Sequence, residues 1–275
     1  MGRKIRIFLR IFLIVLVTIA CIFAGLNTRH KKAIIVTQFG QVQSKSKAGY
    51  LIESEEKRLV IIDGGNSANI INTIKNKGGV VEAWFVTLPH KENAEAILNA
   101  LKNNEIQING IYVSLYGKDW YESNESKEEF EFISDFIGTI ESDNVRDRVH
   151  ELQLRDEINI DNLNFKALKV KDSEYIQNIA NNQSMVIKVS NNFKSMIFLG
   201  GLGVEYQQDF INHNQDEIKC DSVQVAYHGN DTVNEEIYKA IKAKKYFYNI
   251  SEDVQYVDSS AENYSSKYED ITVEI

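Results

Sequence analysis

The residues able to do chemistry fall in three short segments. The first closes an apolar run, Ile61-Ile62-Asp63-Gly64-Gly65; the second reads Thr87-Leu88-Pro89-His90-Lys91-Glu92-Asn93; the third is Tyr227-His228-Gly229-Asn230. Asp63, His90, Glu92 and His228 bring two carboxylates and two imidazoles, residue types that move protons, accept buried N–H groups or ligate metal ions. The non-catalytic expectation for Asp63 is to accept backbone N–H bonds and orient the neighbouring loop, with His90 and His228 hydrogen-bonded to Asp63 or Glu92 across a closed site. No Gly-x-Ser-x-Gly elbow, P-loop or Cys-His nucleophile pair offers another active site. The acidic stretch Glu125 to Glu131 has a calcium-like charge but lacks the Asp-x-Asp-x-Asp-Gly spacing, and reads as a solvated helix face. His30, His150 and His213 lie outside the three segments and read as surface or packing residues.

The elements that must position these residues follow from hydrophobic periodicity. Ala33 to Val36, Gly49 to Glu53 and Leu59 to Ile62 read as strands, and Ile70, Ile71 and Ile74 mark a helix from Ser67 to Asn76 that Lys77-Gly78-Gly79 ends. Val81 to Val86 reads as one buried strand with the second segment at its C-terminal end, followed by a helix from Asn93 to Lys102 and a strand over Gly110 to Leu115. The polar middle, Lys118 to Arg148, contains a helical stretch around Phe130 to Ile137. A second β-rich block begins at Glu157: strands at Ile158 to Ile160 and Leu163 to Val170, then a hairpin of Met185 to Val189 and Ser195 to Leu199 closed by Ser190-Asn191-Asn192-Phe193. Helices over Val204 to Ile211 and Val233 to Ala243 and strands at Ser222 to Ala226, Tyr246 to Ile250 and Ile271 to Ile275 complete it. Two β-rich blocks with flanking helices predict an α+β protein, a four-layer αβ/βα sandwich.

Five fragments, in order, resemble the metallo-β-lactamase superfamily over roughly residues 33 to 275. They are most similar to the soluble domain of DNA-uptake competence proteins and its stand-alone relatives. Phe39-Gly40-Gln41 partly matches that branch's Val-Gly-Gln-Gly turn, and Ile61-Ile62-Asp63-Gly64-Gly65 its Leu-Ile-Asp-Gly-Gly. Thr87 to Asn93 stands where the family has Thr-His-x-His-x-Asp-His. Phe198-Leu199-Gly200-Gly201 matches Leu-Thr-Gly-Asp, and Tyr227-His228-Gly229-Asn230 matches His-His-Gly-Ser.

The resemblance implies one or two metal ions, usually zinc, that lower the pKa of a bound water to near 7 for hydrolysis. Carried over by position, the ligand set is degenerate. Leu88 replaces the first histidine, His90 keeps the second, Glu92 replaces the aspartate, Asn93 the last histidine, and Gly201 the bridging aspartate. Glu92 carries an extra methylene that displaces its carboxylate by about 1.5 Å, and glycine at 201 cannot bridge two ions about 3.5–4 Å apart. The resemblance therefore implies a catalytically degenerate domain acting in binding or scaffolding, with no resident cofactor. The rival is a hydrolase of phosphodiesters, esters or lactams that keeps one zinc or manganese ion through His90, Glu92 and His228, with Asp63 alongside.

Composition bounds the setting. With 43% hydrophobic and 25% charged residues, 275 residues make one sizeable globular domain and a short appendage. Residues Ile7 to Leu26 are apolar apart from Arg10 and Thr18, and Arg3, Lys4, Arg6 and Arg10 crowd their N-terminal side. A helix of 20 residues spans a bilayer core of roughly 30 Å. The positive-inside rule then leaves residues 1–31 as a cytoplasmic tip and transmembrane anchor, and residues 32–275 as a domain outside the cytoplasm. A cleaved signal peptide is the alternative, with only a weak cleavage site at Ala20 to Gly25. Five of the 31 Lys and Arg and none of the 39 Asp and Glu precede residue 31, so the exported part holds 26 basic against 39 acidic side chains, a net charge of −13. Such a field repels nucleic acid. Cys220 has no second cysteine in that part, so its stability comes from its core rather than a disulfide.

Overall fold

The computed structural model describes residues 2, 11–19, 21, 33–40, 49–65, 68–171, 183–226, 235–248, 257–266 and 269–275. The expectations for Gln41, Tyr227, His228 and His30 lie outside these residues. The chain divides into two units, Met1–Ala33 and Ile34–Ile275. In the first, residues 11–19 form a helix, α1, whose side chains are all exposed, and the Thr18 hydroxyl donates to the Ile14 carbonyl at 2.8 Å. Among the described residues no helix is long and apolar enough to cross a membrane. The span expected over residues 7–26 falls partly outside them, since 7–10, 20 and 22–26 are not described.

The second unit holds two seven-stranded sheets. The first is ordered β16-β1-β2-β3-β5-β7-β8: β1 Ile35–Gln38, β2 Gly49–Glu53, β3 Leu59–Asp63, β5 Ala83–Phe85, β7 Ile111–Val113, β8 Val149–Glu151 and β16 Ile271–Glu274. The second is ordered β15-β14-β13-β12-β11-β10-β9, from β9 Glu157–Ile160 and β10 Leu163–Lys169 through β11 Val186–Ser190, β12 Ser195–Phe198, β13 Ser222–Gln224 and β14 Lys245–Tyr248 to β15 Glu262–Ser265. Because strand side chains alternate faces, each apolar run feeds two cores. Val36, Tyr50, Ile52, Val60, Ile62 and Phe85 meet Phe165, Ile187, Met196 and Phe198 between the sheets. Leu51, Ile61 and Trp84 face the other way, under helices α2 Ala68–Asn76, α3 Lys91–Asn103, α4 Lys118–Asn124 and α5 Lys127–Ile140. On the far side, Val186, Ile197, Val223 and Tyr246 pack with Tyr206 and Phe210 of α6 Val204–His213 and Ile237, Tyr238 and Ile241 of α7 Glu235–Ile241. The layers run helix, sheet, sheet, helix, the α+β sandwich expected.

The differences from expectation are local and have physical causes. The strand expected over Val81 to Val86 is broken at Glu82: β4 Val80–Val81 pairs with β6 Gln107–Ile108 in a separate two-stranded sheet, and only Ala83–Phe85 joins the large one. The polar middle carries two helices rather than one, because Ser126 caps α5 by accepting from the Glu129 amide at 3.2 Å and starts a new helix two residues after α4 ends. Edge strands β8 and β15, Val-His-Glu and Glu-Asn-Tyr-Ser, gave no apolar run because each contributes a single apolar side chain, Val149 and Tyr264, to the core and is otherwise held by backbone pairing. His150 is exposed on β8, stacked 5.0 Å from Tyr112, and His213 is exposed at the end of α6. Cys220 is free and partly buried, and burial pushes its thiol up to about 12, the mark of an inert packing residue.

Candidate functional site

The site grows out of the end of β3. Asp63 sits at φ 57° and Gly64 at φ 140°, and a Cβ on Gly64 would stand 3.1 Å from Ile70 and 3.3 Å from Trp84, so glycine there admits both helix and sheet side chains. The turn is pinned from behind, since Trp84 Nε1 donates to the Asp63 carbonyl at 2.9 Å and the Ala96 amide to the Gly64 carbonyl at 2.8 Å. This aims the Asp63 carboxylate at the loop leaving β5. The Thr87 amide donates to Oδ1 at 2.7 Å, the Thr87 hydroxyl to Oδ2 at 2.7 Å, and Asn93 Nδ2 to Oδ2 at 3.0 Å. Asp63, Thr87, Leu88 and Asn93 are all buried. Three donors on one buried carboxylate make a stable link, because charge-assisted bonds are roughly twice as strong as neutral ones.

The second sheet closes on the same loop. The Met185 amide donates to the Thr87 carbonyl at 2.8 Å. Gly200, at φ 57°, has its amide bonded to Gln224 Oε1 at 2.8 Å, and a Cβ there would collide with the Ser184 hydroxyl and come within 3.2 Å of Thr87 Oγ1. The neighbouring Gly201 amide donates to Ser184 Oγ at 2.9 Å. The glycine pair after β12 therefore packs backbone against the Thr87 loop, with no side chain reaching into the site.

His90 has a different partner from the one expected. It is the N-cap residue of α3 but makes no cap bond with its side chain. Its Nε2 instead lies 2.9 Å from Glu125 Oε1, with the two side chains 12% and 8% exposed. Glu129 Oε1 accepts from the Lys91 amide at 2.7 Å. The expected bond from His90 to Asp63 or Glu92 is thus replaced by one to Glu125. Glu125 and Glu129 are likewise not part of a solvated face, because the joint between α4 and α5 turns them onto the start of α3. Burial works to lower the His90 pKa, but the hydrogen bond and charge of Glu125, with the charges of Glu129 and Glu92, outweigh it and hold the imidazole above its ordinary 6.5. Glu92 lies half-buried in the first turn of α3.

These positions do not make a described ligand set for a metal ion. Leu88 is apolar and buried, Asn93 is spent on Asp63, Gly201 offers only backbone, and the Asp63 carboxylate carries three loop donors. Among the described residues no group of three His, Cys, Asp or Glu side chains could hold an ion. The structure brings Asp63, Thr87 and Asn93 together and pairs His90 with Glu125. Two partners were missed in the sequence: Asn93, whose amide sits six residues beyond Thr87 in the same segment, and Glu125, hidden in a run of charges.

No family model matches the sequence, and no curated protein does. Solved structures do. The metallo-β-lactamase fold protein YhfI from Bacillus subtilis aligns with a TM-score of 0.55 at 12% identity, over 88% of this chain and 99% of its own. Tm1679, a metal-dependent hydrolase of the β-lactamase superfamily, gives 0.54 at 11% identity over 88% and 100%. Igni18, a metallo hydrolase from Ignicoccus hospitalis, gives 0.52 at 11% identity over 88% and 99%. At these identities the likeness is one of architecture, and the αβ/βα sandwich built around the Asp63 and Thr87 loops is the metallo-β-lactamase fold.

Proposed function

We propose that this protein is a membrane-anchored domain of the metallo-β-lactamase fold, displayed outside the cytoplasm, that works by binding or scaffolding at the cell envelope and not by two-metal hydrolysis. The observation that carries this is the state of the family ligand positions on the loops where a metal centre would have to assemble: Leu88 is apolar and buried, the Asn93 amide is bonded to Asp63, and Gly201 offers only backbone. The exposed apolar side chains of residues 11–19, Ile11 and Leu16 among them, support the anchor, and the basic residues before them its orientation. The partial likeness to the soluble domain of competence proteins supports an envelope setting.

One observation favours the rival, a hydrolase with a single zinc or manganese ion held by His90, Glu92 and His228. A metal-ligating histidine usually has its other ring nitrogen bonded to a carboxylate, as His90 has through Glu125. Three non-ligands at the family positions outweigh this single feature. The test is the metal content of the full-length protein after dialysis against zinc or manganese, together with hydrolysis of phosphodiester, ester and lactam substrates. Substoichiometric metal and no turnover are expected. A stoichiometric ion that disappears in both His90→Ala and His228→Ala would sink the proposal. Membrane fractionation tests the anchor: recovery in the soluble fraction without detergent counts against it.

A further inference from the structure

A neutral imidazole donates from one ring nitrogen and accepts at the other, and the partner of the first decides which is which. Glu125 at 2.9 Å is an acceptor, so in the neutral ring, above the raised titration range, His90 Nε2 carries the proton and Nδ1 the lone pair. The carboxylate is held in place from several sides. The Glu125 amide donates to the carbonyl of buried Tyr121 at 2.9 Å, and Ser126 caps α5 directly after it. One turn into α5, Glu129 grips the Lys91 amide beside His90 at 2.7 Å. Beneath, Tyr121, Ile133 and Phe136 anchor both helices in the core shared with α3. Described residues supply no partner for Nδ1.

We infer that Glu125 is a positioning residue for His90, fixing the imidazole as the Nε2–H tautomer and reserving Nδ1 as an electron-pair donor for whatever electron-pair acceptor the site takes up. Glu125 acts only through His90. The inference rests on the proposed binding role only for what Nδ1 meets; the tautomer stands or falls by itself.

Nitrogen NMR of the full-length chain, labelled at the histidine rings and held above the imidazole titration range, tests it. The His90 signals are those missing from His90→Gln. Wild type should show an unprotonated Nδ1 and a slowly exchanging Nε2–H. Glu125→Leu should speed exchange of that proton by about tenfold or more, as loss of a bond to a charged group implies. A protonated Nδ1 in wild type, or unchanged exchange in Glu125→Leu, overturns the inference. Should Glu125→Leu fail to fold, Glu125→Ala takes its place and wild type decides the tautomer, a protonated Nδ1 there being the overturning result. Stoichiometric zinc bound through Nδ1 would sink the metal-free reading above while supporting this one, so the two failures are distinguishable.

Discussion

Two polar networks tie loops to sheets in this fold, and they differ in where they sit. On the outer face of the second sheet, Lys166 and Lys188 stand opposite each other on β10 and β11 and draw in the loop after α6: Lys166 Nζ meets Glu217 at 2.9 Å, Arg155 meets the other Glu217 oxygen at 2.9 Å, and Lys188 Nζ donates to the Glu217 carbonyl at 2.6 Å. Glu217 and Arg155 are each 36% exposed. The Asp63 network has a similar number of bonds, yet its carboxylate is 3% exposed. The same chemistry carries different weight, because water replaces a lost partner at the rim and nothing replaces it in the interior.

Breaking the buried member should have the largest effect. Asp63→Ala strands the Thr87 amide, its hydroxyl and the Asn93 amide together, and should cost about 3 kcal/mol or more. Urea unfolding of variant and wild type measures this, and a loss below about 1 kcal/mol would remove the contrast between the regions. The His90 and Glu125 pair lies between the two in burial. Its pKa is raised on folding, so its contribution is full below 6.5, the unfolded value, and fades as pH rises through the higher folded value. The stability gap between wild type and His90→Gln, about 1.5 kcal/mol or more at acidic pH by analogy with charge-assisted bonds, should therefore shrink on going alkaline; a gap that widens would show that the imidazole is held neutral. Glu217→Ala should cost least, under about 1 kcal/mol, and respond to added salt. A larger, salt-insensitive loss would mean that the exposed network is structural in the same sense as the buried one.

The same division decides what the sequence made legible. Asp63, His90 and the glycines after β3 and β12 sit in short local motifs, where turn chemistry and strand ends are written in consecutive residues. The layered sandwich was legible for a similar reason: runs such as Leu59 to Ile62 are apolar on both faces. Glu125 was not, because it is 35 residues from His90 and looks like any other carboxylate in an acidic stretch. Edge strands β8 and β15 escaped because one packed apolar side chain each, Val149 and Tyr264, makes no periodic pattern, and backbone pairing does the rest. The bond from Asn93 to Asp63 escaped because, set against a pattern of metal ligands, asparagine registers only as something lost.

That bond has a consequence for anyone wishing to place a metal centre here. A histidine placed at position 93 would first remove one of the three donors on Asp63 and widen a close-packed corner, and only afterwards, with further changes at Leu88 and Gly201, gain anything from an ion. Position 93 is therefore a hinge pin between the start of α3 and the end of β3: whatever replaces Asn93 is felt first in the turn at Asp63 and Gly64, and only then in the cleft.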